Sequence, residues 1–412
     1  MEVTLKNMKA KYNPQQMSSN LLQLNINTVN EVKFIPTERL YDDVKDVMMP
    51  RLESLYSGRI TEKGSGHCGS TLFADKYTEQ CEDIIADLTE RKHVYITTSG
   101  TAGITLMLMA LGIGYGDEVI CTNYSCPATV MPIKQLGATP VYTDINIYGQ
   151  QNLENIKSLI TQKTKAIMIT DLYGDCNDYD LVKNLGLPIL NDSAQSFLTT
   201  YKGAQTVGIG DMSILSFSTN KNCPVFGTYG AVCTNDDKLA NDLKVMRKNG
   251  YENRDVGLGI SHIGLNATPQ EDKCIQLLCS LEKLKDWQAR RKEIAETFTN
   301  EFQKIGINIR PSPEYSQTNY HKYSIFVKDK WKFRELMTEQ GVETQMHYTY
   351  NFTNTPVLSN GVNKKMPGTE FFNRHAISIP SNPWLKDNEV MKIITAVKNC
   401  ITKEDINQCP KI

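Results

Sequence analysis

From residue 94 onward, short apolar segments alternate with longer amphipathic ones along the chain. Five runs rich in β-branched and aromatic residues are predicted strands, and helical periodicity separates most of them. The predicted strands span residues 94–98, 118–122, 139–142, 165–171 and 187–192. Apolar strands that alternate with helices are typical of a mostly parallel sheet covered on both faces. Ligands of such sheets bind beyond the carboxyl ends of the strands.

After about residue 237 the pattern becomes helical, and the last hundred residues form a smaller α/β pattern. Helices are predicted over 238–248 and 269–281, the second leading into a charged run at 284–302. Strands at 323–327 and 344–348, a helix at 331–340 between them and a closing helix at 387–399 follow. We therefore predict an N-terminal extension (1–30), a large cofactor-binding domain (31–300, whose first part flanks the cleft) and a small C-terminal domain (301–412).

Composition and charge remove several classes of protein. The 412 residues are 40% hydrophobic and 22% charged, which is ordinary for a globular protein and argues against disorder as the main state. Forty-five basic and 46 acidic residues give a net charge of -1. No global positive field is available, so we expect neither nucleic acid nor a membrane as partner. Any phosphate must be held by a local site.

The cysteines and histidines lack the spacing of a metal site. Eleven cysteines and six histidines include no CxxC and no HExxH, so we expect no bound metal. Scattered thiols in a chain of this length, without a charged-then-apolar leader, favour a reducing compartment. We expect a cytoplasmic protein.

Three segments at predicted strand ends have candidate chemistry. Ser99, Gly100, Thr101 and Ala102 lead from a strand into a helix, where free N–H groups can hold a phosphate. A simple helix cap is the alternative. Asp192 ends an apolar strand and could cap the next turn or protonate a heteroaromatic nitrogen.

The third segment is Ser216 to Lys221, just after another apolar stretch. A lysine in such a polar loop is usually solvated, and spacing alone does not assign it a function.

Together these motifs resemble those of the DegT/DnrJ/EryC1/StrS family of pyridoxal-phosphate-dependent sugar aminotransferases. The Ser-Gly-Thr-Ala turn, the Asp-x-Ala-Gln strand end and the Ser-Phe-x-x-x-Lys segment recur there in this order. Residues 110–120, ALGIGYGDEVI, match a family word. The resemblance covers roughly residues 45–400. It implies an α/β fold of the aspartate-aminotransferase type (fold type I), with a mostly parallel seven-stranded sheet.

The resemblance also implies roles for individual residues. Lys221 matches the lysine that forms the Schiff base with pyridoxal 5′-phosphate and then moves protons. Asp192 matches the partner of the pyridine nitrogen, and Gln195 the neighbour of the phenolic oxygen. The other implied cofactor contacts are Gly100, Thr101, Ala102, Cys126, Ser216 and Asn266, and the implied substrate contacts are Tyr124, His347 and Tyr348.

Several of these assignments have alternatives. Asn266 matches a residue that reaches the partner subunit's phosphate, which implies a homodimer with shared sites, but it could equally cap the next helix. Cys126 stands where many relatives have an aromatic ring, so stacking on the cofactor would fall to another residue such as Tyr124. His347 and Tyr348 could be packing residues.

The implied reaction moves an amine from an amino acid, most simply L-glutamate, to a nucleotide-linked 4-keto-6-deoxy sugar, with pyridoxamine 5′-phosphate formed midway. Amination at C3, sugar dehydration and a noncatalytic regulator are the alternatives within the fold. Dehydratases of the family replace the lysine by histidine, whereas Lys221 is present here. A nicotinamide dehydrogenase would need G-x-G-x-x-G opening a helix, which is missing.

One departure concerns the amino donor. Where the family often has an aromatic and then a basic residue after the asparagine, this chain has Ala267 and Thr268. The most obvious basic partner of the donor's carboxylate is therefore absent.

Overall fold

The computed structural model describes residues 30–57, 76–252, 259–359, 361 and 365–401. The predicted N-terminal extension lies outside the described residues except for Asn30. None of the helices in these ranges is both long and apolar enough to cross a membrane.

A seven-stranded sheet forms the centre of the larger part of the chain. Its strands are β1 (His93–Thr97), β2 (Glu118–Thr122), β3 (Thr139–Thr143), β4 (Thr164–Thr170), β5 (Ile189–Asp192), β8 (Met212–Ser216) and β9 (Gly230–Thr234). The order across the sheet is β1-β9-β8-β5-β4-β2-β3. Strand β9 runs antiparallel to both of its neighbours, and the other pairs are parallel. The predicted mostly parallel seven-stranded sheet of fold type I is confirmed.

Helices cover this sheet because its strands are apolar on both faces. They are α2 (Lys76–Thr89), α3 (Gly100–Ala110), α4 (Met131–Gln135) and α5 (Asp237–Met246), whereas α1 (Thr37–Tyr56) packs on the long helix that follows α5. Helix α3 is apolar on nearly all sides and packs between β8, β9 and α5, with Leu106, Met107 and Leu108 fully buried. A helix without a polar face needs such enclosure. It fixes the first turn of α3 against the end of β8.

The 33-residue helix α6 (Glu271–Gln303) joins the sheet region to a second hydrophobic core. That core contains Phe298 and Phe302 of α6, Ile325, Ile377 and, from the start of the described chain, Val32. The elements around this core are β11 (Tyr323–Phe326), α7 (Lys330–Glu339), α8 (Pro367–His375), β12 (Ala376–Ile379) and α9 (Asp387–Cys400). A small separate sheet is formed by β6 (Thr200–Tyr201), β7 (Ala204–Gln205) and β10 (Ser316–Gln317). The domain division near residue 300 stays a prediction.

Two sequence predictions about this second core need correction. The helix predicted at 269–281 does not end there, because it and the charged run at 284–302 belong to one continuous helix, α6. Residues 344–348 are not a strand, since their pairing is a single bridge between Gln345 and Ser378, and β11 pairs with β12 instead. The backbone of 347–348 bonds to tyrosine hydroxyls rather than to a neighbouring strand. His347 O accepts from Tyr124 and Tyr173, and Tyr348 N donates to Tyr124.

Candidate active site

Three chain segments converge at one edge of the sheet. Strands β5 and β8 are parallel neighbours, so Asp192 at the end of β5 and Ser216 at the end of β8 lie at the same edge. The chain continues from Ser216 to Lys221, and helix α3 begins next to Ser216 at the end of β8. This is the edge at which a parallel α/β sheet binds its ligand.

The first turn of α3 is pressed against the end of β8. A Cβ added to Gly100 would come within 3.2 Å of the Ser216 Cβ, and one added to Gly230 within 2.5 Å of the Gly100 nitrogen. Ser99 caps the helix, because its Oγ accepts from the Ala102 N–H at 3.0 Å. Ser99 therefore has the role that we gave as the alternative to phosphate binding, that of a helix cap. The N–H groups of Gly100 and Thr101 have no intrahelical partner by helix geometry and remain suited to a phosphate.

Asp192 is a buried carboxylate with few protein partners. Thr129 Oγ1 donates to Asp192 Oδ2 at 2.6 Å, and the Ala194 N–H donates to Oδ1 at 3.2 Å. Asp192 therefore also caps the turn that follows β5, which was the alternative role for this residue. Burial raises the pKa of Asp192, against the opposing effect of these two bonds and of the positive charge of Lys221. A protonated ring nitrogen beside this carboxylate would favour its ionised form.

Lys221 lies near Asp192 and Cys126. Burial lowers the pKa of Lys221, and the negative charge of Asp192 opposes that effect. The Lys221 backbone N–H donates to Ser218 O at 2.8 Å, which holds the turn after β8. A lysine with a lowered pKa supplies more neutral amine near pH 7, as a nucleophile or a proton acceptor requires. Lys221 is half-buried rather than freely solvated, unlike the usual lysine of a polar loop.

Gln195 connects this edge to the C-terminal part of the chain. Its Nε2 donates to the Tyr348 hydroxyl at 2.9 Å, and its Oε1 accepts from the Tyr173 N–H at 2.9 Å. Tyr348 also lies near Cys126, which is exposed. The structure thus brings Gln195, Tyr348 and Cys126 to the same side of the site as Lys221, where their predicted roles are possible but remain predictions.

Tyr124 and His347 are packed among other aromatic side chains. The Tyr124 side chain is completely buried, its ring packing edge-on against Tyr348 (5.5 Å between centroids) and Phe372. The predicted contact of Tyr124 with cofactor or substrate stays a prediction. His347 is partly buried, with Nδ1 at 3.0 Å from Ser378 Oγ. Tyr124 holds the backbone at 347–348.

Asn266 is separated from this cluster. It lies exposed in the loop between α5 and α6 and forms a bridge with Lys248. The N-cap of α6 is Gln270, so the alternative role of Asn266 as a helix cap is wrong. An exposed asparagine is available to a second subunit, and that role stays a prediction.

Sequence reasoning missed a cavity on the other side of Lys221. It has a volume of about 20 Å³, is open to solvent, and is lined by Lys221, Arg291, His321 and Lys322 together with Phe34 and Trp384 among others. We call it the Arg291 cavity. These residues are separated by up to 350 positions, so no local motif signals them. The basic pair at 290–291 within α6 and the His-Lys pair at 321–322 before β11 were the available hints.

The groups at this edge fit a phosphorylated pyridine aldehyde. Backbone N–H groups and hydroxyls suit its phosphate, the buried acid suits its ring nitrogen, and a lysine amine of lowered pKa suits its aldehyde. This fold is that of the pyridoxal-phosphate enzymes of fold type I.

Comparison with known proteins defines the family. The model of the DegT/DnrJ/EryC1/StrS aminotransferase family matches residues 68–398, and the chain belongs to this family. Its cofactor is pyridoxal 5′-phosphate, as predicted.

Two characterised relatives are sugar-nucleotide enzymes. The UDP-2-acetamido-2-deoxy-3-oxo-D-glucuronate aminotransferase of Pseudomonas aeruginosa is 30% identical over 335 residues, covering 80% of this chain and 91% of the relative. The dTDP-3-amino-3,6-dideoxy-alpha-D-galactopyranose transaminase of Aneurinibacillus thermoaerophilus is 30% identical over 312 residues, covering 74% and 85%. The crystal structure of ntda from Bacillus subtilis with bound cofactor PMP superimposes with a TM-score of 0.78 at 25% identity, covering 90% and 85%.

Proposed function

We propose that this protein transfers the amino group of L-glutamate to the keto group of a nucleotide-linked sugar. The observation that carries the proposal is the proximity of Lys221 to Asp192 at the carboxyl edge of the sheet, where the charge of each opposes the effect of burial on the pKa of the other. Amine transfer needs at least a lysine that reacts at the aldehyde of the cofactor and an acid that keeps its ring nitrogen protonated. The bound cofactor supplies an electron sink for the pair of electrons left when a C–H bond is broken.

The residues of the chain have separate tasks in this proposal. The Gly100 and Thr101 N–H groups with the Ser216 hydroxyl would hold the phosphate and so fix the orientation of the ring. Asp192 keeps the ring nitrogen protonated. Lys221 accepts a proton from one carbon and returns it to another, which its lowered pKa favours. Gln195, held by Tyr173 and Tyr348, would lie beside the phenolic oxygen of the bound cofactor.

The position of the keto group is the finer question. We predicted C4 of a 4-keto-6-deoxy sugar, but both relatives have names that place the keto or amino group at C3. We therefore propose C3 as the second candidate, with equal rank. The homodimer and the cytoplasmic location complete the proposal, the first because exposed Asn266 is available to a partner.

A panel of 3-keto and 4-keto sugar nucleotides tests this function. The purified holoenzyme is mixed with L-glutamate, and its absorbance should change from the aldehyde to the amine form of the cofactor. Adding the right sugar should reverse the change, and mass and proton NMR of the product assign the carbon. A holoenzyme that no amino acid converts would contradict the proposal and favour a noncatalytic regulator.

A further inference from the structure

The Arg291 cavity concentrates positive charge without a matching acid. Of its lining residues, Lys221, Arg291 and Lys322 are basic and His321 is titratable, and none is an aspartate or glutamate within the described part of the chain. Arg291 and Lys322 are 5% and 6% exposed. Buried cations are normally paired, because removing an isolated charge from water is costly.

The two buried cations have little hydrogen bonding of their own. The Arg291 guanidinium donates from Nη1 to Ser381 O at 3.3 Å, and its Nε is buried without a partner among the described residues. The Lys322 ammonium lies 4.8 Å from the centre of the Phe34 ring. Arginine has five donors in a planar fork that matches a carboxylate. Most of these donors are therefore available to a ligand.

Burial and the neighbouring positive charges both disfavour the charged forms of these residues. Burial lowers the pKa of Lys322 well below its ordinary value, and the charges of Lys221 and Arg291 lower it further. Burial lowers the pKa of Arg291 to about 9. His321, whose Nδ1 lies 2.8 Å from Asn222 Oδ1, has its pKa lowered by burial and by the same cations. An anion in the cavity would reverse each of these effects.

An α-amino acid donor would bring an anion to this place. In an α-amino acid the carbon that bears the reacting amine also bears a carboxylate, so this negative charge would enter the site within a few bonds of Lys221. Sequence position 268, where a basic side chain might have met it, is threonine. The cavity that Lys221 shares with Arg291 and Lys322 provides the missing cations.

We infer that Arg291 and Lys322 bind the α-carboxylate of the amino donor. Arg291 binds it through its planar fork, and Lys322 acts as a second, nearby charge. The inference rests on the proposed function, since it presupposes an amino-acid donor. Beyond that function, it assigns to Arg291 and Lys322 the selection of an α-amino acid over a simple amine as the donor.

The test measures equilibrium binding rather than turnover. The probe is α-methyl-L-glutamate, which keeps the amine and the α-carboxylate but has no proton on the α-carbon to lose. Calorimetric titration of the holoenzyme should give a Kd that rises roughly 10- to 100-fold in Lys322→Met and in Arg291→Met. Lys322→Arg, which keeps the charge, should retain most of the affinity. The control Lys332→Met changes an exposed lysine of α7 and should have no effect.

A second probe separates carboxylate binding from general damage. 4-Aminopentanoate is α-methylglutamate without its α-carboxylate, and the variants should bind it as the wild type does. Equal losses for both probes would overturn the inference, since they would indicate a distorted site. Unchanged Kd values for α-methylglutamate in both variants would overturn it as well.

The sugar half-reaction supplies the last control. If the variants bind α-methylglutamate normally but raise the KM of the keto sugar nucleotide, the cavity serves an acidic group on the sugar and the inference is wrong. If wild-type holoenzyme neither binds the probe nor reacts with L-glutamate, the proposed function itself fails. Failure of the variants to differ from an active wild type affects only the inference.

Discussion

The first turn of α3 and the Arg291 cavity both adjoin the segment around the end of β8, but they offer negative charge different partners. The α3 turn presents backbone N–H groups and the hydroxyls of Ser99 and Ser216, all neutral. The cavity presents the cations Arg291 and Lys322, both nearly fully buried. Neutral dipoles remain satisfied by water when no ligand is bound, whereas buried cations stay unfavourable until an anion arrives.

This difference matches what each region has to bind. A cofactor that stays bound through many turnovers needs positioning, which a rigid helix end provides. A donor that enters and leaves at every turnover needs selection by charge. Lys221 lies between the two regions, and its lowered pKa follows mainly from burial, with Asp192 opposing it.

Removing the amine between the two regions should have the largest effect. In Lys221→Ala, turnover should fall by roughly 10⁴-fold or more, because both the covalent link and the proton carrier are lost. Steady-state assay with L-glutamate and the sugar found in the panel measures this. Lys285→Ala, an exposed lysine of α6, is the control. Turnover of Lys221→Ala near the wild-type rate would contradict the account.

Removing the negative charge of Asp192 should have the second-largest effect on turnover. Asp192→Asn keeps the shape and the Thr129 contact but removes the charge, so turnover should fall roughly 10²- to 10³-fold. Cofactor affinity should change much less, because the α3 turn holds the phosphate. Single-turnover spectroscopy with glutamate gives the rate, and equilibrium dialysis gives the affinity. An undiminished half-reaction would show that Asp192 is not the ring's partner.

Disturbing the neutral region alone should have a smaller effect, on stability and cofactor affinity. A Cβ at position 230 would lie 2.5 Å from the Gly100 nitrogen and 2.6 Å from the Ser99 carbonyl carbon, both backbone atoms. We expect Gly230→Ala to lower the free energy of unfolding by about 1–3 kcal/mol and to weaken cofactor binding. Chemical denaturation measures the former.

The matched control for that change is Gly114→Ala, where an added Cβ would meet only a carbonyl oxygen at 3.8 Å. If Gly230→Ala were as stable as this control and bound the cofactor normally, the close packing of α3 on β8 would not matter for the phosphate.

The positive charges around the Arg291 cavity should make the free energy of unfolding depend on pH through His321. The pKa of His321 is lowered well below 6.5 in the folded chain, so the unfolded chain binds more protons as the pH falls. Stability should therefore decrease below pH 6.5, by up to about 1.4 kcal/mol per pH unit from this residue. His321→Gln should have a shallower dependence between pH 6.5 and 5.5. Equal slopes in urea denaturation would contradict the prediction.

Parts of the molecule whose determinants are local in sequence were predictable. Strands β1 to β5 are short apolar runs with polar ends, and the Ser99–Ala102 turn carries its cap beside its helix. Residues 344–348 were not predictable in the same way. They have strand-like composition, but hydroxyls of Tyr124 and Tyr173, over 170 positions away, bind their backbone.

The same reason explains the missed cavity. Arg291 lies on α6 among residues that face the second core, and Lys322 precedes β11, so both resemble ordinary surface charges in the sequence. Only packing of α6 against the chain near Phe34 and Ser381 buries them beside Lys221. Burial of a charge depends on distant segments, which amino-acid pattern alone does not specify.

The most direct test of the central claim is to fix the cofactor to the protein and find where it is attached. Reduction of the holoenzyme with borohydride, followed by proteolysis and mass spectrometry, should place one phosphopyridoxyl group on Lys221. The label should be lost after brief prior treatment with L-glutamate, because the cofactor is then in its amine form. A label on another lysine, or one unaffected by every amino acid, would contradict the account.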